Sequence, residues 1–228
     1  MTSKASIVFA HGLWADGSCF SKLIPTLQAE GHEVLSSQHG LDSLEGDVAC
    51  VTRAINHVPG PVVLVGHSYG GTLITKAGIH DRVGALVYIA ALAPDEDETS
   101  QDQQNKFAGM PVFEHLDITD GRLWLLESGI GDFCGDLPAA EQKFVLATGA
   151  VPVAELFNQQ VPGTAWRTKP SWYIVANNDR TVNPDLERAA AERIGAKTYA
   201  VDSSHVPMLS HPDFVLDVIR DAAKTLEA

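Results

Sequence analysis

The chain has 228 residues, with 16 lysine and arginine residues against 29 aspartate and glutamate residues, and a formal net charge of −13. Phosphate binding needs clustered basic side chains, so this balance argues against a nucleic acid partner. No apolar run approaches the ~20 residues that a membrane-spanning helix needs. The length allows a sizeable core, and we expect one domain with an insertion.

The amino terminus and the cysteines indicate a cellular setting. Residues 1–10 lack the basic start, the long apolar middle and the cleavage site of a signal peptide. Cys19, Cys50 and Cys134 are too few and too far apart for a disulfide framework or a metal site. We therefore expect a reducing, cytoplasmic setting and no bound metal.

Apolar segments of strand length alternate with helical patterns along the chain. Predicted strands lie at 6–10, 33–36, 61–65, 84–91, 171–176 and 197–201, and predicted helices at 21–30, 43–56, 69–80, 185–194 and 213–226. Several strands are almost continuously apolar, as is typical of strands covered on both faces. Repeated alternation predicts an α/β fold with a doubly wound, mostly parallel sheet.

One stretch, residues 95–168, breaks this alternation. It has no parallel-strand pattern, only short helical pieces at 139–148 and 153–159, and it carries 13 acidic residues against 4 basic ones. An insertion here, after the fourth parallel strand, lies over the strand ends where α/β sheets bind ligands. We interpret it as a helical cap on a core of residues 1–94 and 169–228. Two crossover helices with a long loop are the alternative.

The most informative stretch is a strand, a turn and a helix start around Ser68. An apolar run at 62–65 enters Gly66-His67-Ser68-Tyr69-Gly70, and a helical pattern follows. This is the Gly-x-Ser-x-Gly nucleophile elbow in the setting that gives the motif meaning. Small residues two places either side of the serine let strand and helix approach each other. The pattern predicts Ser68 as a nucleophile, with a structural glycine-rich turn as the alternative.

A serine nucleophile needs a base to take its proton, and the base needs a third group to orient it. Of nine histidines, only His205 comes just past a strand-like segment near the carboxyl terminus. Asp179 follows the strand at 171–176, at the same sheet edge. The order Ser68, Asp179, His205 differs from the chymotrypsin and subtilisin orders. Asp95, which also follows a strand, is the alternative acid.

A tetrahedral intermediate needs two backbone N–H donors for its oxyanion. One is expected from Tyr69, directly after the nucleophile. The other is expected from the loop after the first strand, where Gly12 permits a tight turn and Leu13 is the natural donor. His11 is then part of the scaffold.

These motifs resemble those of the α/β-hydrolase superfamily over nearly the full chain. The finer pattern, Gly66 to Gly71 with His205-Val206-Pro207-Met208-Leu209, looks like the branch of plant methylesterases, hydroxynitrile lyases and bacterial esterases. The resemblance implies hydrolysis of small esters by a Ser-His-Asp triad without a cofactor. The lyases carry a lysine after the catalytic histidine, where this chain has Val206, and a threonine in the first oxyanion loop, where it reads His-Gly-Leu-Trp.

The sequence therefore predicts a serine hydrolase that acts on a small neutral carboxylic ester or lactone. A cyanohydrin-cleaving carbon–carbon lyase is the alternative enzyme. A non-catalytic receptor for a small ligand is the alternative of another class, because one fold can support several functions. The expected partner is a small molecule, and the sequence does not reveal the oligomeric state.

Aromatic residues of the insertion and of the first loop suggest a substrate pocket. Charged side chains cost too much to bury unpaired, so the acidic residues of the insertion are expected to face outward. Trp14, Trp124, Phe144 and Phe157 are then expected to line a pocket over Ser68, with the negative field favouring neutral substrates. The alternative is that these side chains form a packed cap core.

Overall fold

The centre of the fold is a parallel sheet of six strands, in a computed structural model that describes residues 4–227. In chain order the strands are β1 (Ser6–Ala10), β2 (Val34–Ser37), β3 (Val62–His67), β4 (Val83–Ile89), β5 (Leu116–Thr119), β6 (Arg122–Leu125), β7 (Ser171–Ala176) and β8 (Lys197–Val201). The sheet order is β2-β1-β3-β4-β7-β8, and β5 pairs with β6 in a separate hairpin. The carboxyl ends of the six parallel strands therefore meet at one edge.

Helices cover both faces of the sheet. They are α1 (Ile24–Ala29), α2 (Leu44–His57), α3 (Tyr69–Ala77), α4 (Ser100–Gln104), α5 (Ile130–Cys134), α6 (Ala139–Thr148), α7 (Pro184–Arg193), α8 (Pro207–Ser210) and α9 (Pro212–Lys224). Every residue of β1, β3 and β7 is buried, as expected for strands with a helix layer on each side. Helix α2 packs on β1 and β2, α3 on β3, and α9 on β3, β4 and β7.

The predicted fold class, a doubly wound and mostly parallel α/β sheet, is confirmed. Strand bounds agree to within two residues. Strand β3 runs to His67, beyond the predicted end at 65, because its last residue still pairs with Ile89 of β4. The predicted helix at 21–30 corresponds to the shorter helix α1, at Ile24–Ala29. A 3₁₀ turn at Gly17–Phe20 precedes it.

The segment at 95–168 contains an antiparallel hairpin, although we predicted only helical pieces there. Strands β5 and β6 are joined through Asp120 and Gly121, whose φ angles are 52° and 73°. A two-residue hairpin turn of type I′ needs two positive φ angles, and Asp-Gly is one of its preferred sequences. Helix α6 agrees with the predicted helix at 139–148, whereas 153–159 contains only the 3₁₀ turn Leu156–Asn158. The division into core and cap stays a prediction.

The hairpin decides the position of Trp124. Successive side chains of a strand point to opposite sides, and in β6 Leu125 is buried while Trp124 is 47% exposed. The structure thus places the Trp124 side chain at the surface of the hairpin.

The acidic residues of this segment mostly face outward, with one clear exception. Glu98 is only 8% exposed, and ion pairs with Arg193, at 2.8 Å, and with Lys106 compensate its burial.

Within residues 4–227, no helix combines the length and the apolar character required to cross a membrane. The signal-peptide prediction begins at residues 1–3, which lie outside the described residues.

Candidate active site

Ser68 lies at a sharp turn between β3 and α3. Its φ and ψ angles are 56° and −123°, a strained conformation for a residue with a Cβ atom. The strain is tolerated because backbone packs directly on backbone here: a Cβ atom at Gly70 would lie 2.1 Å from the carbonyl oxygen of Ala10. Helix α3 is thereby fixed against β1, and the Ser68 side chain is held at the carboxyl edge of the sheet.

Asp179 and His205 form a buried pair at the same edge. The Nδ1 atom of His205 lies 2.5 Å from Oδ2 of Asp179, and both side chains are completely buried. The other carboxylate oxygen accepts the N–H groups of Thr181, at 2.6 Å, and Val182, at 2.9 Å. Since an ionised carboxylate only accepts hydrogen bonds, Nδ1 carries the proton and Nε2 has a free lone pair. Nε2 is buried and has no hydrogen-bond partner in the described structure.

His67, inside the elbow, contacts the loop that carries His205. Its Nε2 atom donates a hydrogen bond of 2.8 Å to the backbone carbonyl oxygen of His205, and the two rings lie 4.6 Å apart. Complete burial lowers the pKa of His67 well below its ordinary value, which keeps the ring neutral. The residue before Ser68 therefore fixes the His205 loop. This contact spans 138 residues, and no local pattern in the sequence predicts it.

Asp136, between α5 and α6, holds the same loop from the other side. Its carboxylate accepts hydrogen bonds from the backbone N–H of Ser204, at 2.8 Å, from the Ser204 hydroxyl, at 2.5 Å, and from the Ser203 hydroxyl, at 3.1 Å. Burial opposes ionisation of Asp136, but these hydrogen bonds outweigh it and hold the pKa below the ordinary value. We did not predict a role for Asp136.

The loop after β1 approaches Ser68 closely. A Cβ atom at Gly12 would lie 2.6 Å from Cβ of Ser68, so only glycine fits at this contact. The N–H groups of Leu13 and Tyr69, the two expected oxyanion donors, make no hydrogen bond to another described residue. The N–H of Trp14 is instead taken by the carbonyl oxygen of Ala150, at 3.0 Å. Two backbone donors near Ser68 are thus left for a ligand.

Asp95, the alternative acid, has other partners. Its carboxylate lies 2.6 Å from the Arg167 guanidinium, and its carbonyl oxygen accepts a hydrogen bond from Lys76. The hydrogen bond from Arg167 lowers the pKa of Asp95. The structure therefore brings Asp179 to His205 and pairs Asp95 with Arg167.

A cavity of about 340 Å³ lies between the loop after β1, helix α6 and the loop that carries His205. Its apolar lining includes Phe133, Val145, Val206 and Leu209. Phe133 also connects the cavity to the buried pair, because its ring packs edge-on against His205, with centroids 5.2 Å apart.

The predicted pocket aromatics lie in different places. Phe144 lines the cavity, and Trp14 is buried with its ring edge-on to Phe133 at 6.2 Å. Phe157 is not part of the cavity lining and stacks on the ring of Tyr69, with centroids 5.9 Å apart.

The fold and the elbow together define a class of proteins, and comparison identifies it. A family model described as the alpha/beta hydrolase family matches residues 7–218, and the chain belongs to this family. Methylesterase 2 of Arabidopsis thaliana is 24% identical to it over 94% of each chain. The pyrethroid hydrolase of Sphingobium wenxiniae is 27% identical over 95% of this chain and 87% of that protein. A carbendazim hydrolyzing esterase of a Nocardioides species is 34% identical, over 42% of this chain and 45% of that protein.

Solved structures agree on the fold. The crystal structure of polyneuridine aldehyde esterase superimposes with a TM-score of 0.82 at 16% identity, covering 96% of this chain and 98% of that one. A pyrethroid hydrolase from Sphingobium faniae gives a TM-score of 0.80 at 22% identity, covering 96% and 97%.

Proposed function

We propose that this protein is a serine hydrolase that cleaves a small, neutral carboxylic ester or lactone through an acyl-enzyme on Ser68. The observation that carries the proposal is the buried pair of His205 and Asp179. It leaves an unprotonated, unpartnered Nε2 atom at the sheet edge where Ser68 lies in a strained turn. Relatives named as esterases and hydrolases support the same reaction class.

In this proposal, Nε2 of His205 takes the Ser68 proton as Oγ attacks the ester carbonyl carbon. Asp179 stabilises the imidazolium that forms, and the N–H groups of Leu13 and Tyr69 bind the oxyanion. When the carbon–oxygen bond breaks, His205 gives its proton to the leaving alcohol. Water then attacks the acyl-enzyme with His205 again as base, which releases the acid and restores Ser68.

The cavity supports an apolar substrate portion. Most of its exposed surface is apolar, although serine and charged side chains also line it, and Phe133 separates it from His205 by one ring. The ion pair between Lys22 and Glu141, at 2.7 Å, is formed by two residues of the lining. Because that cation already has its partner and the chain carries a net charge of −13, the proposal favours neutral esters and lactones over anionic ones.

The test is a panel of neutral esters and lactones with varied acyl and alcohol groups, assayed with the wild-type protein and Ser68→Ala. We expect hydrolysis of part of the panel by the wild type, and a loss of several orders of magnitude in kcat for Ser68→Ala with unchanged folding. Release of an aldehyde from cyanohydrins without ester cleavage would instead support the lyase. Labelling of Ser68 with very slow turnover would support the receptor.

A further inference from the structure

Glu187 is a completely buried carboxyl group that the proposed reaction does not use. It lies on α7, in the first turn after the cap formed by Asn183. Buried carboxyl groups are costly unless they are neutral or well supplied with donors. Its position in the fold shows what this group contacts.

The Glu187 carboxyl lies at the base of the turn that presents Asp179. Its Oε2 atom accepts the N–H of Ala176, the last residue of β7, at 2.8 Å. The N–H of Asp179 in turn donates to the carbonyl oxygen of Ala176, at 3.2 Å. Glu187 and Asp179 thus bond to the two backbone groups of the same residue, and helix α7 fixes the end of β7 through this carboxyl group.

The two carboxyl groups differ in how many hydrogen-bond donors face them. Asp179 receives three: the N–H groups of Thr181 and Val182, and Nδ1–H of His205. Glu187 receives only the N–H of Ala176, and its Oε1 atom is buried without a partner in the described structure. Donors stabilise the ionised form, so the negative charge belongs on Asp179 and a proton on Glu187.

The charges around Glu187 agree with this assignment. Burial raises its pKa well above the ordinary value, and the negative charge of Asp179 raises it further. The Ala176 N–H and the charge of Arg188 act in the opposite direction but are outweighed. A proton on Oε1 gives this buried, unpartnered atom a hydrogen to donate, and the nearby Asp179 carboxylate is the acceptor that its charge identifies.

We propose that Glu187 is a positioning residue for Asp179: its carboxyl group keeps a proton on Oε1, donates it in a hydrogen bond to the Asp179 carboxylate, and holds that carboxylate toward His205. Its role in catalysis rests on the proposed function. Its protonation does not, and can be measured in the absence of any substrate.

The first experiment is ¹³C NMR of protein labelled at the glutamate carboxyl carbons, with the Glu187 signal assigned by its loss in Glu187→Gln. We expect this signal to keep the chemical shift of a protonated carboxyl at pH 7. A shift typical of an ionised carboxylate at that pH overturns the proposal. The result is independent of whether the protein hydrolyses esters, so a failure of the proposed function is recognised separately, by the absence of hydrolysis in the wild type.

The second experiment compares Glu187→Gln and Glu187→Met in ester hydrolysis, with Glu192→Met, at an exposed position of α7, as the control. Glutamine supplies the same neutral donor and acceptor. We therefore expect kcat to stay within about 3-fold of the wild-type value and the acidic limb of the pH profile to move by no more than a few tenths of a pH unit. Methionine removes the donor, and we expect kcat to fall about 10- to 100-fold with little change in KM, because small displacements of catalytic groups cost about that much.

In the methionine variant, Asp179 loses the hydrogen bond from Glu187, so more of its negative charge stabilises the protonated form of His205. We therefore expect the acidic limb of the pH profile to move to higher pH. Retention of the wild-type kcat in Glu187→Gln separates positioning from a simple loss of packing. If Glu187→Met does not fold, the ¹³C NMR measurement on the wild-type protein still shows whether Glu187 is protonated. A Glu187→Met variant that folds and keeps both the wild-type kcat and the wild-type acidic limb overturns the proposal.

Discussion

The carboxylate of Asp136 accepts a hydrogen bond of 2.8 Å from the backbone N–H of Ser204, the residue directly before His205. The segment at 95–168 is thus connected to the loop that presents the proposed base. We expect Asp136→Ala to lower kcat about 10-fold with a small change in melting temperature, because the loop loses three hydrogen bonds. Asp136→Asn, which keeps an acceptor, should lose less. Steady-state kinetics and thermal denaturation measure both effects.

The control for this prediction is Glu127→Ala, which removes an exposed carboxylate from the same segment. It should leave kcat unchanged. Equal losses in Glu127→Ala and Asp136→Ala would mean that charge, rather than the contact with Ser204, matters.

The acid of the proposed triad is tested by comparing Asp179→Asn with Asp95→Asn. Asparagine at 179 removes the charge that stabilises the imidazolium and disturbs the tautomer of His205, so we expect a loss on the order of 10⁴-fold in kcat. Asparagine at 95 weakens only the ion pair with Arg167 and should have a small effect. A large loss at 95 with a nearly unchanged rate at 179 would transfer the role to Asp95.

The pH dependence of stability is tested at Asp47. This carboxyl group is buried, accepts hydrogen bonds from Leu41 N–H and the Tyr69 hydroxyl, both at 3.1 Å, and burial raises its pKa from 3.8 to about 6. Between these values the folded state binds more protons than the unfolded state, so the free energy of unfolding falls as pH rises through this window. Asparagine at 47 cannot ionise. The melting temperature of Asp47→Asn relative to wild type should therefore increase from pH 4 to pH 7.

The matched control is Glu45→Gln, at an exposed position of the same helix. Its melting temperature relative to wild type should stay nearly constant over this range. A constant difference for Asp47→Asn as well would show that Asp47 ionises as readily in the folded state as in the unfolded state.

The cavity is tested with two exposed aromatic residues of the segment at 95–168, of which Phe144 lines the cavity and Trp124 does not. We expect Phe144→Ala to shift the preference in kcat/KM toward longer or bulkier esters, because the smaller side chain enlarges the cavity. Trp124→Ala should change kcat/KM by the same factor for all substrates. Ratios between substrates measure this directly, and equal patterns in both variants would show that specificity lies elsewhere.

The elbow and the sheet were predictable from the sequence because both depend on local patterns. The glycines around Ser68 report a backbone contact within a few residues, and the apolar runs report strands with two covered faces. The hairpin also has a local signal, because Asp120-Gly121 is a preferred hairpin turn between two short runs that contain apolar residues, although we predict only helical pieces there. The direction of the Trp124 side chain depends on the strand period and therefore could not be predicted from a helical pattern.

Other parts of the candidate site were not readable in this way. His67, Asp136 and Glu187 contact the loops of Asp179 and His205 through the tertiary fold, and no spacing in the sequence announces such contacts. His67 bonds to a carbonyl oxygen 138 residues away, and Asp136 to residues 67 and 68 positions away. A single chain shows the residue types that chemistry requires, whereas the residues that orient them emerge only from packing.

The central claim, that Ser68 becomes covalently bonded to substrate, is tested most directly by mass spectrometry after reaction with a fluorophosphonate. The wild-type protein should gain one adduct, located on the peptide that contains Ser68, and ester hydrolysis should be lost in parallel. Ser68→Ala should gain none, and protonating His205 at acid pH should slow the labelling, because a protonated imidazole cannot accept the serine proton. An adduct on another residue, or full hydrolysis by Ser68→Ala, would contradict the account.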